Sequence, residues 1–460
     1  MSWIEDPSRT SRILWFHGPA GAGKTAIAQT LCKRCAANEW LVGSFFFSRI
    51  AALARNDPSR LFPTIAYQLS HAIPAVGEII YEVVAKDPSL VSKSKALKIQ
   101  LQKLIVEPMQ RVLDLPDKPV VIIIDGLDEC EEEGKQDHII QLLGNVFQHA
   151  TGALSRICFI VTSRPEPWIH NGFHMEALSP ITRPLFLGQN NEANDDIRTF
   201  LDEGFIDIRN NTDHQPTMWD FEMPWPSDRV LDLLVENASG QFIYPATVLK
   251  FVGDPNYRPN ERLDIITSLP TIVSWPSTPQ PLAALDRLYS QILETACDKQ
   301  RTRGILGALM ATQSALMIMQ GESGVHLPSW TSQEEGWLNF IRIFRLESLG
   351  IVEKLLGLRP GDGTLALRTI HSLVHVPRRV LIPKTPDADL LYLEKIENTS
   401  LNELWFHHKS FIDYLIDPSR SLEHYIDMHQ IHTQLALACL DAMESFSLQP
   451  TSRIACGMFF

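Results

Sequence analysis

Eight consecutive residues, Gly18-Pro19-Ala20-Gly21-Ala22-Gly23-Lys24-Thr25, have the make-up of a phosphate cradle. The glycines let the backbone curl until successive N–H groups point inward, and a helix opening behind them adds positive potential. In the pattern G-x-x-x-x-G-K-[ST], Lys24 reaches the β- and γ-phosphates and Thr25 puts its hydroxyl on Mg²⁺. A second constellation sits in VVIIIDGLDEC, residues 120–130. Its apolar run delivers Asp125 to the end of a buried strand, where α/β sheets place their ligands. A carboxylate there can take the water shell of Mg²⁺. Asp128 and Glu129 follow within a turn, so either can polarise an attacking water. The third is Ile157-Cys158-Phe159-Ile160-Val161-Thr162-Ser163-Arg164-Pro165. Another apolar strand ends there in a hydroxyl pair and an arginine, and Arg164 can sense a γ-phosphate and stabilise transition-state charge.

These groups need a sheet to bring them together, and the flanking sequence supplies one. Residues 12–188 alternate short β-branched or aromatic runs with longer helical patterns, which predicts an α/β domain with a mostly parallel sheet. The expected strands are Ile13–His17, Val42–Ser48, Val120–Asp125, Ile157–Thr162 and Pro184–Leu187, continuously apolar as in strands buried on both faces. From Asn190 the composition turns helical. Residues 194–209 and 227–252 read as amphipathic helices, and a Pro-rich connector, Pro270 to Pro281, precedes the helix LAALDRLYSQILETA. Residues 301–430 are helical with a β-like interruption around 376–405. Two short helices, Gly350–Gly357 and Thr364–Leu373, precede it in the manner of a winged helix. The expected divisions are an N-terminal stub (1–11), the NTPase core (12–188), a helical lid and linker (189–300), a winged-helix-like domain (301–430) and a C-terminal helix and tail (431–460).

With 460 residues, the chain exceeds one ordinary core. Its 45% hydrophobic and 21% charged content is that of a globular protein in water. A net charge of −13 argues against coating nucleic acid or an anionic membrane, yet a phosphate pocket needs only local cations. Seven irregularly spaced cysteines point to reduced thiols in the cytosol. Cys32 and Cys35 form a C-x-x-C with no second pair nearby, which reads as two small helix residues rather than a metal or redox site. No N-terminal apolar segment suggests a signal peptide, and Ile305 to Met319 reads as a buried helix. A cytoplasmic location is therefore expected.

Taken in order, the G-x-x-x-x-G-K-T loop, the D-G-L-D-E strand end and the T-S-R-P strand end resemble the NACHT family of signal-transducing P-loop NTPases. The segments ILWFHGPAGAGKTAIAQT, SFFFSR, LFPTIAYQL and VIIIDGLDEC are most similar to the fungal NACHT group with a nephrocystin-like N-terminal NTPase region. The resemblance implies that the Arg164 strand lies between the phosphate-loop strand and the Asp125 strand. It implies a lid contact from Pro245 in SGQFIYPA, near the nucleotide base. It also implies a histidine on the β-phosphate of ADP, and position in WFHHKSFIDY selects His408 over His407. ADP would hold the closed form, ATP and Mg²⁺ the open one with a self-association surface. The residues do not discriminate ATP from GTP, and effector and sensor partners stay unnamed.

Three departures temper the resemblance. The chain starts about a strand before the loop, so no cover over the base is expected, and effector and sensor domains are expected to be absent. Residues 320–346 do not read as a short winged-helix connection. Gly126 follows the Mg²⁺ aspartate where many related ATPases have an acid, which favours slow hydrolysis. Two rival readings are a vigorous ATPase, for which no further catalytic set is found, and a winged-helix DNA-binding regulator. The recognition helix of the latter, Thr364–Leu373, has one Arg and an apolar face suited to packing within the protein. A third rival is a truncated paralogue without function.

Overall fold

The computed structural model describes residues 1–6, 8–48, 55–112, 118–131, 133–147, 154, 156–188, 191–218, 224–268, 282–321, 349–376 and 405–447. The connector Pro270–Pro281, the stretch from 322 to 348 and most of the interruption around 376–405 lie outside these residues. The chain forms two compact units, one of Met1–Ala193 with Gly240–Phe242, the other of Asn194–Ser239 with Ile243–Phe460.

The first unit is built on five parallel strands: β1 (Ile13–His17), β2 (Leu41–Phe46), β3 (Val120–Asp125), β4 (Ile157–Ser163) and β5 (Thr182–Phe186). Their order is β2-β3-β4-β1-β5. Strand β4 pairs with β1 on one side, Leu14 opposite Ile160, and with β3 on the other, Ile123 opposite Ile160. The expected insertion of the arginine strand is therefore present. Every residue of β3 and β4 is buried, as continuous Val/Ile runs require when helices cover both faces.

Alternation along the strands divides the core in two. Ile13, Trp15, Ile122, Ile124, Phe159 and Val161 face helix α2 (Leu61–Ala72) and its neighbours through Phe62, Ile65 and Leu69. Leu14, Phe16, Val121, Ile123, Cys158 and Ile160 face the other way, against Ala28 and Cys35 of α1 (Lys24–Ala37) and against Trp3 and Ile4. Cutting Ile123, fully buried, back to alanine would cost about 2–5 kcal/mol. Cys32 and Cys35 are free thiols on the sheet-facing side of α1. Burial pushes Cys32 up to about 11 and raises Cys35 as well, so neither is poised as a thiolate.

Helix α3 (Glu133–Asn145) follows β3, and α4 (Pro167–Phe173) follows β4 with Pro167 at its first position, where no backbone donor is lost. The second unit is helical, with α5 (Asn191–Asn210) beginning at the boundary. The stretch read as one helical region over 227–252 is two helices, α6 (Asp228–Ala238) and α7 (Ile243–Val252). Ser239 and Gly240, with φ of 49° and 75°, turn the chain out of α6 in consecutive left-handed residues. Next come α8 (Ala283–Glu294), α9 (Lys299–Gly321), α10 (Leu349–Leu355) and α11 (Asp362–Leu367). A short antiparallel pair, β6 (Val374–His375) and β7 (Trp405–Phe406), leads into α12 (Lys409–Leu415). Among the described residues, no helix is long and apolar enough to cross a membrane.

Candidate nucleotide site

The C-terminal ends of β1, β3 and β4 lie side by side, so the loops that follow them share one edge of the sheet. After His17 the chain turns through Gly18 and the loop to α1, with Gly21 and Gly23 at φ 78° and 81°. Gly18 cannot carry a side chain, because a Cβ there would lie 2.2 Å from the Leu187 carbonyl oxygen. Leu187 in turn donates its N–H to the His17 carbonyl at 2.7 Å. The residue that follows β5, the strand on the other side of β1, thus closes tightly on the root of the loop.

Lys24 Nζ folds back over the loop and donates to the Gly18 and Pro19 carbonyl oxygens, each at 2.8 Å. Burial pushes its ammonium down from the ordinary value to about 8, with Asp128 and Asp125 acting in the opposite sense and Arg164 reinforcing the fall. Thr25 is exposed, and its hydroxyl is near enough to the Asp125 carboxylate to favour its charged form. Asp125 itself is 2% exposed. Burial pushes its carboxyl upward, against the pull of hydrogen bonds from Thr162 and Thr25. The Thr162 hydroxyl donates to Asp125 Oδ1 and accepts the Gly126 N–H at 3.0 Å. Gly126 is left-handed at φ 70°, and a Cβ there would meet the Phe47 carbonyl at 3.1 Å. A glycine directly after the aspartate is thus a backbone requirement of this turn.

Asp128 is buried and committed. Its Oδ1 accepts the Arg164 backbone N–H at 3.0 Å, and its Oδ2 faces Arg164 Nε at 3.3 Å. The acid and the arginine, read separately from sequence, form one unit across two adjacent strand ends. Glu129 is half-buried on the turn Leu127–Glu129, close enough to Lys24 to be felt electrostatically. The donor set of Thr25 hydroxyl and Asp125 carboxylate suits Mg²⁺, a hard cation that takes oxygen ligands and keeps part of its water.

Several contributors carry no motif. Gln136 of α3 donates to the Cys130 carbonyl at 2.7 Å, while its side-chain oxygen accepts from Trp168 Nε1 at 2.8 Å. This brace ties the Asp128 turn to α4. Trp15 donates from Nε1 to Ser163 Oγ at 2.9 Å and stacks on His17 at 4.1 Å and on Phe173 at 4.6 Å. Phe242, in the tripeptide that belongs to this unit, lies beside Gly23, where an added Cβ would meet its ring at 3.7 Å. Its one sequence signal is its place in SGQFIYPA.

The two remaining candidates lie in the second unit. Pro245 is buried in the first turn of α7. His408 caps α12: its Nδ1 accepts the Ser410 N–H at 3.1 Å and contacts Ser410 Oγ at 2.6 Å, and that oxygen meets Tyr289 OH at 2.7 Å. A ring nitrogen that accepts from a backbone N–H carries no proton, so the neutral His408 ring bears its proton on Nε2. His407 faces the His371 carbonyl at 3.0 Å through Nε2, and burial pushes its pKa down to about 4.

Residues 1–164 match the family model described as nephrocystin 3, N-terminal. The match runs from the first residue to Arg164 and so contains the loop, Asp125 and Asp128. No curated protein matches the chain. Among solved structures, Drosophila ORC bound to DNA is 12% identical, with 93% of this chain and 94% of that chain covered and a TM-score of 0.35. Cdc6p from Pyrobaculum aerophilum is 11% identical, with 96% and 91% covered and a TM-score of 0.31. The nucleotide-binding reading stands on the loop, the sheet order and the family match, independently of these likenesses. This is a P-loop NTPase fold with a nephrocystin-like N-terminal region.

Proposed function

We propose that the chain is a nucleotide-operated switch of the NACHT signal-transducing type, binding ATP or ADP with Mg²⁺ and hydrolysing ATP slowly. The observation that supports it best is the convergence of Lys24, Thr25, Asp125 and the Asp128–Arg164 pair on one edge of a sheet whose arginine strand is inserted between the other two. In this proposal the loop N–H groups of Gly18 to Gly23 and the Lys24 ammonium hold the phosphates. Thr25 and Asp125 hold Mg²⁺, whose role is to neutralise charge on the β- and γ-phosphates.

Asp128 is assigned to positioning. Its bonds to Arg164 fix the guanidinium and its backbone at the sheet edge, where a γ-phosphate can be sensed. Glu129 is left as the better candidate to orient a water. Its side chain sits on a short turn rather than on a helix, consistent with poor alignment and slow turnover. The winged-helix-like part comes from the helix pattern as well as the resemblance, and the lid from the resemblance, which assigns Pro245 to the base and His408 Nε2–H to the β-phosphate of ADP. The capping bond at Nδ1 supports the His408 assignment, since it leaves the proton on the nitrogen that such a contact needs.

Purification without added nucleotide, followed by denaturation and chromatography of the released small molecules, tests the proposal. A switch held closed by ADP releases close to one ADP per chain and hydrolyses ATP in about a single turnover. Multiple rapid turnovers, or no nucleotide binding at any Mg²⁺ concentration, would overturn it.

A further inference from the structure

The second unit holds a cluster of ligating groups unrelated to the phosphate loop. Glu294 ends α8, and Glu423 and His424 lie in the tight turn Leu422–His424. One carboxylate oxygen from each glutamate and one ring nitrogen of the histidine lie within 4.8 Å of one another. His424 is 8% exposed, and its Nε2 is buried without a hydrogen-bond partner. That nitrogen points at Glu294 Oε1, 3.4 Å away. Beside it opens a cavity of about 240 Å³, lined in part by Lys299, Thr302, Arg303, Glu423 and His424. The cavity has room for water molecules.

The ring nitrogen and the carboxylate face one another at ion-pair distance without the geometry of a hydrogen bond. A cation between them satisfies both, and Glu423 supplies the third oxygen. We propose that Glu294, Glu423 and His424 bind a divalent transition-metal ion of the Zn²⁺ class, with water from the adjoining cavity completing its coordination. The donor set favours that class. One imidazole nitrogen with two carboxylates suits Zn²⁺ at a site with an open position, whereas Mg²⁺ and Ca²⁺ prefer oxygen alone.

Two cations neighbour the cluster. Lys299 bonds the second oxygen of Glu294, Oε2, leaving Oε1 turned to the histidine. Arg303 faces the Glu423 carbonyl oxygen at 3.3 Å. Lys299 is also a like charge to the metal, so its removal should strengthen binding. A plain ion-pair cluster, in contrast, gains nothing from losing Lys299.

The test is calorimetric titration of the full, tag-free chain with Zn²⁺ in the presence of Mg²⁺, alongside Glu423→Gln, His424→Ala and Lys299→Met. Glu423 is exposed, so Glu423→Gln reports on the site even where His424→Ala disturbs folding; circular dichroism checks both. The expected result is one Zn²⁺ site that weakens by about tenfold or more in both ligand variants and tightens in Lys299→Met. Visible absorption of bound Co²⁺ should likewise be lost in Glu423→Gln. Equal Zn²⁺ affinity and stoichiometry in the parent and Glu423→Gln, or no Zn²⁺ binding by the parent, would overturn the proposal.

Discussion

Nucleotide affinity should fall steeply with rising pH above 8, and Lys24 should be the cause. The ammonium donates to two carbonyl oxygens of the loop, and burial holds its pKa at about 8. Phosphate oxygens in the cradle would return it to its ordinary 10.5 or above. A group whose pKa rises on binding takes up a proton with the ligand. Affinity is therefore fullest well below pH 8 and is lost as pH climbs through the window between the two values. Within that window the loss approaches tenfold per unit. Between pH 7.5 and 9.5 it amounts to roughly twenty- to thirtyfold, or about 2 kcal/mol. The nucleotide contributes little, since its terminal phosphate is already ionised there (second pKa about 6). Dissociation constants of a fluorescent ATP analogue across this range measure the slope. Calorimetry in two buffers of different ionisation heat measures the proton taken up. Lys24→Met should bind weakly and without the slope. A flat profile in the parent, or an equal slope in Lys24→Met, refutes the placement of this ammonium on the phosphates.

Other changes separate the remaining roles. Gly18→Ala forces a Cβ onto the Leu187 carbonyl and should abolish ATP binding or lower the melting temperature, both readable by thermal scan with and without nucleotide. Asp125→Asn should weaken Mg²⁺-dependent ATP binding more than metal-free ADP binding, and titration with each ligand separates the two. Asp128→Asn, which keeps the shape but removes the ion pair with Arg164, should slow single-turnover hydrolysis about as much as Arg164→Gln does, and the double variant should be no worse. Glu129→Gln should slow hydrolysis without changing ATP affinity. His408→Leu should speed release of a fluorescent ADP by about ten- to hundredfold in stopped flow, the worth of a charge-assisted hydrogen bond of roughly 1.5–3 kcal/mol.

Strands buried on both faces were the most legible elements. The bounds read for β1 and β3 coincide with those observed, because an uninterrupted apolar run has one plausible fate in an α/β sequence. Strand β5 was read as Pro184–Leu187 but occupies Thr182–Phe186. It has one neighbour, and Arg183 and Phe186 are exposed, so no apolar run marks its start. The break at Ser239-Gly240 was missed because apolar spacing continues across it, whereas the left-handed backbone there is a local decision. The position of β4 came from the family resemblance and not from periodicity, which carries no strand order. At the site, sequence could name Asp125, Asp128 and Arg164 but could not pair them. Whether Asp128 meets Arg164, or Thr162 meets Asp125, depends on register between strands separated by more than thirty residues.

The tripeptide Gly240-Gln241-Phe242 makes the first unit discontinuous in the chain. The polypeptide leaves that unit after Ala193, returns for three residues and leaves again before Ile243. A chain cut after residue 193 would thus lose part of the body that holds the phosphate loop, including the ring that lies against Gly23. Domain shuffling that joined residues 1–193 to a foreign partner would leave the loop short of one wall. Inheritance of residues 1–193 together with 240–242 as one block follows from this path of the chain.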